Sequence, residues 1–296
     1  MSSSLSHGSP LRRAMVSELT LRRYASSTIK SYVGAVSLLA RHYQRCPSQI
    51  TDEEVILWLR HRLAQGHSGS TLNVALHGVR FLWREILQRP ADALKLPKLR
   101  RTQKLPEALN HDEVRALLDA HPKQIYRAAL HLLYGCGLRI SELARLEVRH
   151  IDRPTMRVRV EQAKGNKDRY TVLPQRALIE LETYWRAERL PTSNIPWLFI
   201  GRCGNHLGTD AIYRAYKEAK RLAGITKQGG VHALRHSFAT HHLMGGTDLV
   251  TLQRMLGHKH LRTTSRYLQI VLESGHDISS PLDTLYRDER DEAEAT

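Results

Sequence analysis

Up to about residue 100 the apolar residues recur at helical spacing, and no stretch alternates as a strand would. Ile29, Tyr32, Val33, Val36, Leu39, Ala40 and Tyr43 share one face of a helix opening at Ser27, which is placed to cap it. Thr51-Asp52-Glu53-Glu54 has capping-box spacing and opens a second helix, with Val55, Trp58, Leu59 and Leu63 on one side. A third begins near Ser70, turns Leu72, Ala75, Leu76, Val79, Leu82 and Ile86 inward, and stops before Pro90. The pattern predicts a small helical bundle over residues 17–93, preceded by a loose polar arm over residues 1–16.

Leu94 to Lys104 carries five basic residues, no acidic one and a proline that blocks helix continuation. It reads as an interdomain linker over residues 94–105. Within it Lys95, Lys98, Arg100 and Arg101 are candidates for lying along a phosphate backbone, and a merely solvated connector has the same composition. The second domain, residues 106–275, opens with Asn110 capping a helix that has Glu113 at its third position. A longer helix runs through Ile125, Ala129 and Leu133 and ends near Gly135 or Gly137. Met156–Glu161 alternates as a half-buried strand, and Arg169–Leu173 is its partner across a turn at Lys164–Lys167. Further helices are expected over Gln175–Arg186, Thr209–Ala223, His232–Met244 and Thr247–Leu256. The fold class is therefore mainly α with a small antiparallel β-sheet, in two domains, and residues 276–296 form a C-terminal tail.

A formal net charge of +16 on 296 residues favours a polyanionic partner, because neutralised phosphates release condensed counterions. Charge alone leaves DNA binding level with ribosome association or a membrane surface. Residues 1–103 hold 16 Lys and Arg against 6 acidic residues, so the first domain is the more generic electrostatic clamp. Cys46, Cys136 and Cys203 are too far apart for a disulfide framework or a cysteine-based zinc site. No signal peptide or membrane span is visible, and the chain reads as cytosolic and nucleoid-associated.

Four short segments carry chemistry. Arg139 lies beside Gly137 at the start of a short helix opened by Ser141 and Glu142; a guanidinium offers two parallel donors to phosphate oxygens and keeps its charge. Lys164 begins the strand-to-strand turn, where a cation can enter a DNA groove, and Lys167 and Arg169 are rivals by position. His232 and Arg235 share a face at a helix start that itself favours anions. His236 shares that face, and His241-His242 follow, so a metal site competes; the absence of a zincin-type glutamate and of cysteine ligands sets it behind. Tyr267 follows Leu256-Gly257-His258 and a helix start at Thr263-Thr264-Ser265. A lone tyrosine is more often core, and as a nucleophile it needs neighbouring positive charge and a base.

In this order, Gly137-Leu138-Arg139-Ile140-Ser141-Glu142-Leu143, Lys164-Gly165-Asn166-Lys167-Asp168-Arg169, His232-Ala233-Leu234-Arg235-His236, Leu256-Gly257-His258 and Tyr267 resemble the tyrosine recombinases, the phage integrase family. The likeness runs from about residue 15 to 270 and is to the compact Xer-type and transposon-borne integrases. Too little chain precedes the bundle for the arm-binding domain of larger phage integrases. The resemblance implies a SAM-like DNA-binding bundle followed by a tyrosine recombinase catalytic domain, closing as a C-shaped clamp. It implies that Arg139 and Arg235 clamp the scissile phosphate and Lys164 protonates the departing 5′-oxygen. His232 then handles the tyrosine proton, His258 supports the phosphate, and Tyr267 forms a 3′-phosphotyrosyl link. It further implies double-stranded DNA as partner, a homo-tetramer on paired sites with a Holliday-junction intermediate, no cofactor, and neither ATP nor a metal for the chemistry. The tail segment Pro281–Tyr286 is apolar enough to dock on a neighbouring subunit, and a disordered acidic tail fits as well. Two other functions share the fold: a catalytically silent DNA-binding regulator, and a type IB topoisomerase-like enzyme that relaxes DNA as a monomer.

Overall fold

The computed structural model describes residues 9–89, 107–163, 167–189 and 194–268. The chain divides into two compact units, Met1–Lys104 and Leu105–Thr296.

Among the described residues the first unit contains four α-helices: α1 (Pro10–Leu21), α2 (Ser26–Tyr43), α3 (Asp52–Ala64) and α4 (Gly69–Phe81), the last running into a π-turn over Leu82–Ile86. Three of the starts follow from capping chemistry. Ser9 caps α1 ahead of a proline at the first helical position, where the missing N–H costs nothing. Thr51 and Glu54 close the capping box of α3, with Thr51 N–H donating to Glu54 Oε2 at 2.9 Å. Ser68 caps α4. The helix α2 begins at Ser26 rather than being capped by Ser27; Ala25 takes the cap position and gives no side-chain bond. The larger departure is α1. The segment expected as a loose arm is helical from Pro10, because Met15 and Leu19 lie one turn apart and both are fully buried in a core with Leu39, Val55, Leu76 and Trp83.

The second unit contains α5 (His111–Ala120), α6 (Gln124–Gly135), α7 (Ile140–Ala144), strands β1 (Ile151–Asp152), β2 (Arg157–Ala163) and β3 (Lys167–Val172), then α8 (Gln175–Ala187), α9 (Thr209–Leu222), α10 (His232–Met244), α11 (Leu249–Leu256) and α12 (Leu261–Thr264). The three strands form one antiparallel sheet in the order β1-β2-β3. Val158 and Val160 of β2 point into the core, and so do Arg169 and Thr171 of β3, since Val160 pairs with Arg169 and Val158 with Thr171. Tyr170 and Val172 therefore face outward. The helix α11 starts at Leu249 rather than Thr247, capped by Asp248, which accepts from Val250 and Thr251 N–H, and α12 starts at Leu261, two residues before the expected start. Among the described residues no helix is long and apolar enough to cross a membrane.

Two helix ends decide where the site forms. After α6, Gly137 adopts a left-handed conformation (φ 59°), and a Cβ there would stand 2.6 Å from the Phe238 ring. After α11, Gly257 is also left-handed (φ 62°), and a Cβ would stand 2.7 Å from Arg169 Cδ. Both positions require glycine for backbone conformation and for space.

Candidate active site

Helix C-termini leave carbonyls without intrahelical partners, and they carry the negative end of the helix dipole. Here two arginines fill those positions. Arg235, on the first turns of α10, donates from Nη1 to Gly137 O (2.6 Å) and from Nη2 to Leu256 O (2.5 Å), so it joins the ends of α6 and α11. Arg169, on β3, donates from Nε to Met255 O at 2.8 Å. Both guanidiniums are buried. Burial, and then the neighbouring Arg139, push Arg235 down to about 9, which still leaves it charged at neutral pH.

One carboxylate organises these cations. Arg169 binds Glu142 bidentately, Nη1 to Oε1 at 2.9 Å and Nη2 to Oε2 at 2.7 Å. The Arg139 side chain reaches Oε1 at 2.6 Å and its backbone N–H reaches Oε2 at 2.8 Å, closing the N-terminus of α7. Arg235 Nη1 stands 3.8 Å from Oε2. Burial alone would raise the Glu142 pKa, but the hydrogen bonds and charge of Arg169, followed by Arg139, hold it at about 2. Three guanidiniums around one carboxylate leave a surplus of two positive charges.

His258 follows Gly257. Its Nε2 lies 3.1 Å from Arg235 Nη2 and its Nδ1 lies 2.9 Å from Thr264 Oγ1. A guanidinium can only donate, so Nε2 accepts and Nδ1 carries the proton. Burial, then Arg235 and Arg139, lower the His258 pKa to about 3, so the ring is neutral. Tyr267 is 4% exposed, with its ring 6.5 Å from that of His258 and close to parallel to it. Burial raises its phenol pKa, opposed by Arg235 and Arg266.

The tyrosine hydroxyl has a partner to which the sequence assigned no chemical role. His236 Nδ1 lies 2.9 Å from Tyr267 Oη. His232, which the resemblance pairs with the tyrosine proton, lies one turn earlier with its ring 6.1 Å from that of His236. Its pKa is lowered by burial, then by the charges of Arg235 and Arg139. The structure thus brings Arg139, His232, Arg235, His258 and Tyr267 together, and adds Glu142, Arg169 and His236. Arg169 is no groove-entering cation: its guanidinium is occupied by Glu142 and Met255. The alternation of β3 held the signal, because Arg169 lies on the same face as Thr171. Glu142 had a signal too, standing three residues after Arg139, the N-cap of its helix. Lys164 lies outside the described residues, as do Lys95, Lys98, Arg100, Arg101 and the tail from residue 276.

Among the described residues the group with metal-ligand geometry is Asp119, His131 and Glu180, whose ligand atoms lie within 4.8 Å of one another. Two guanidiniums already hold it: Arg127 and Arg176 approach Glu180 at 3.3 and 2.8 Å and Asp119 at 3.7 and 3.9 Å. Their charge disfavours a cation there. It is an ion-pair network between α5, α6 and α8.

Residues 107–272 match the phage integrase family, and residues 11–93 match the phage integrase N-terminal SAM-like domain. The chain belongs to the phage integrase family and is a site-specific tyrosine recombinase. The Sinorhizobium fredii chain y4qK, which bears an integrase/recombinase name, is 38% identical over 283 residues, 94% of this chain and 90% of its own length. The tyrosine recombinase XerA of Pyrococcus furiosus is 36% identical over 226 residues, 74% of this chain and 77% of its own. In fold the chain is similar to a lambda integrase solved as a tetramer bound to a Holliday junction, with a TM-score of 0.70 and 17% identity, covering 87% of this chain and 76% of that one.

Proposed function

We propose that the chain breaks and rejoins double-stranded DNA through a 3′-phosphotyrosyl intermediate on Tyr267, in the integration, excision or resolution of DNA elements. One observation carries the reading. A buried phenol lies beside a cluster of fixed guanidiniums: the Tyr267 ring stacks 6.5 Å from that of His258, and His258 is hydrogen-bonded to Arg235. A phosphodiester entering this cluster meets Arg139 and the Arg235 donors not engaged by carbonyls. In-line attack by Tyr267 Oη builds a phosphorane of about two negative charges, which the surplus of two positive charges matches. The arginines are fixed before the substrate arrives, so little reorganisation is left for the transition state. His258 holds Arg235, and His232 stands at the N-terminus of α10, where an anion is favoured. Lys164 is assigned the proton for the departing 5′-oxygen. The 5′-hydroxyl of a second strand then displaces the tyrosine. Acting as a homo-tetramer on paired sites, as the lambda integrase does on a Holliday junction, would bring that second strand within reach.

The test is a nicked suicide substrate that loses its 5′-hydroxyl fragment on cleavage. Wild type should accumulate a covalent protein–DNA adduct, and Tyr267→Phe should form none while keeping DNA affinity within about threefold of wild type. An adduct persisting in the variant would remove Tyr267 as nucleophile. Strand exchange between two labelled duplexes, rather than relaxation of one, would separate recombination from topoisomerase action.

A further inference from the structure

We propose that His236, one turn along α10 from His232, is a catalytic residue that takes the phenolic proton of Tyr267 during cleavage and returns it during rejoining. The inference rests on the recombinase reading above and names the group that activates the nucleophile. It starts from contact geometry. His236 Nδ1 is 2.9 Å from Tyr267 Oη, within the reach required of a general base. The rings are 5.7 Å apart and tilted by 49°, so they meet through the hydroxyl–nitrogen contact rather than by stacking.

The surroundings keep the ring unprotonated, with its lone pair available to the phenol. The titratable and charged groups facing the ring are His232 and Arg235 on α10, His258 after α11, and Arg266 and Tyr267 after α12. Burial first, then His232, Arg235 and Arg266, push the His236 pKa down to about 4, so the imidazole is neutral at physiological pH and free to accept a proton. A scissile phosphate bound by Arg139 and Arg235 offsets part of that cationic field and makes the ring more basic when it is needed. The two histidines of the helix start then differ in what they touch: His236 is hydrogen-bonded to the nucleophile, and His232 stands one turn back with its ring 6.1 Å from that of His236.

Protons and bonds balance in both directions. In cleavage Tyr267 Oη bonds to phosphorus, its proton moves to His236 Nδ1, and the bond from phosphorus to the 5′-oxygen breaks. That oxygen leaves with a proton from a separate acid, the role assigned to Lys164. In rejoining, the incoming 5′-hydroxyl gives its proton back to that acid and attacks phosphorus. The bond from phosphorus to Tyr267 breaks, and the His236 imidazolium reprotonates the phenolate. One residue serves both directions, as microscopic reversibility requires of a reaction whose nucleophile is later its leaving group.

The experiment compares wild type, His236→Asn and His232→Asn in single-turnover cleavage of the suicide substrate from pH 6 to 10, at saturating DNA. An asparagine amide can keep a hydrogen bond to Oη but cannot take the proton. The expected result is a loss of about 100-fold or more at neutral pH for His236→Asn. Its rate should then climb about tenfold per pH unit as free phenolate forms, narrowing the deficit, and added imidazole should restore part of the rate of His236→Gly. A His236→Asn rate within about threefold of wild type, or a profile merely displaced parallel to wild type, would overturn the proposal, as would finding the steep profile in His232→Asn instead. Nitrogen-15 histidine NMR of the unsubstituted protein gives a readout independent of any variant's folding. The proposal requires the Nε2–H tautomer of His236, and an Nδ1–H tautomer sinks it. Absence of any adduct from wild type would instead defeat the recombinase reading itself.

Discussion

Replacing Arg169 with methionine tests whether the buried carboxylate is held as the geometry implies. Methionine keeps much of the aliphatic volume and removes the three donors, two on Glu142 and one on Met255 O. Glu142 is displaced from its ordinary value near 4.5 to about 2, a difference that corresponds to about 3 kcal/mol of stability at neutral pH. Breaking one side of a buried ion pair costs about 3–5 kcal/mol in general. The lower end applies here, because Glu142 keeps the Arg139 side chain at 2.6 Å and its N–H at 2.8 Å. For a unit of this size about 3 kcal/mol lowers Tm by roughly 6–12 °C. The assay is thermal unfolding of the full chain, reading the transition of the second unit. The sign with pH follows from the depressed carboxylate. Its contribution is present above the unfolded value near 4.5 and is lost as pH falls toward 2, so the gap between wild type and Arg169→Met should be widest near neutrality and shrink below about pH 4.5. Histidine terms are common to both proteins except that of His258, whose pKa Arg169 helps to lower. A Tm difference under about 2 °C at pH 7, or one that stays constant down to pH 3, would refute the assigned role of Arg169.

Two further outcomes are expected. Replacing Lys98, Arg100 and Arg101 with alanine should weaken binding to all DNA sequences and flatten the dependence of log affinity on log salt, by about one unit of slope for each phosphate no longer neutralised; an unchanged slope in a filter-binding titration places the linker off the backbone. Excess EDTA should leave adduct formation on the suicide substrate essentially unaffected, because fixed guanidiniums do the charge stabilisation; loss on chelation with recovery on adding zinc would overturn the mechanism.

Helix periodicity and capping chemistry were legible because they are local. Thr51 with Glu54, and Asn110 with Glu113, announce their helices by spacing alone, and both capping boxes form. The helix α1 was missed because the polar residues around Pro10 weighed more than the one-turn spacing of Met15 and Leu19. The site divides the same way. Spacing along α10 puts His232, Arg235 and His236 on one face and stops there, since which histidine meets Tyr267 depends on where a chain segment 31 residues later packs. The reading of Arg169 failed for a related reason. Residue type suggests solvent, but strand alternation turns this side chain inward, and only the tertiary position of Glu142 makes burial of the charge tolerable.

That burial explains why a site proposed to bind phosphate carries a carboxylate at all. Arg139, Arg169 and Arg235 lie close enough to repel one another, and burial separates two of them from water that would screen the repulsion. Carbonyls at the ends of α6 and α11 offset part of the cost, and the two left-handed glycines let those carbonyls come close. The remainder falls to Glu142, which engages two guanidiniums through direct bonds and a third at 3.8 Å. A fully satisfied network would have no reason to bind an anion. This one stops short of neutrality by two charges, with Arg139 its most exposed member. The carboxylate therefore sets the depth of the positive potential: enough to hold three cations in a folded site, and too little to substitute for the phosphate.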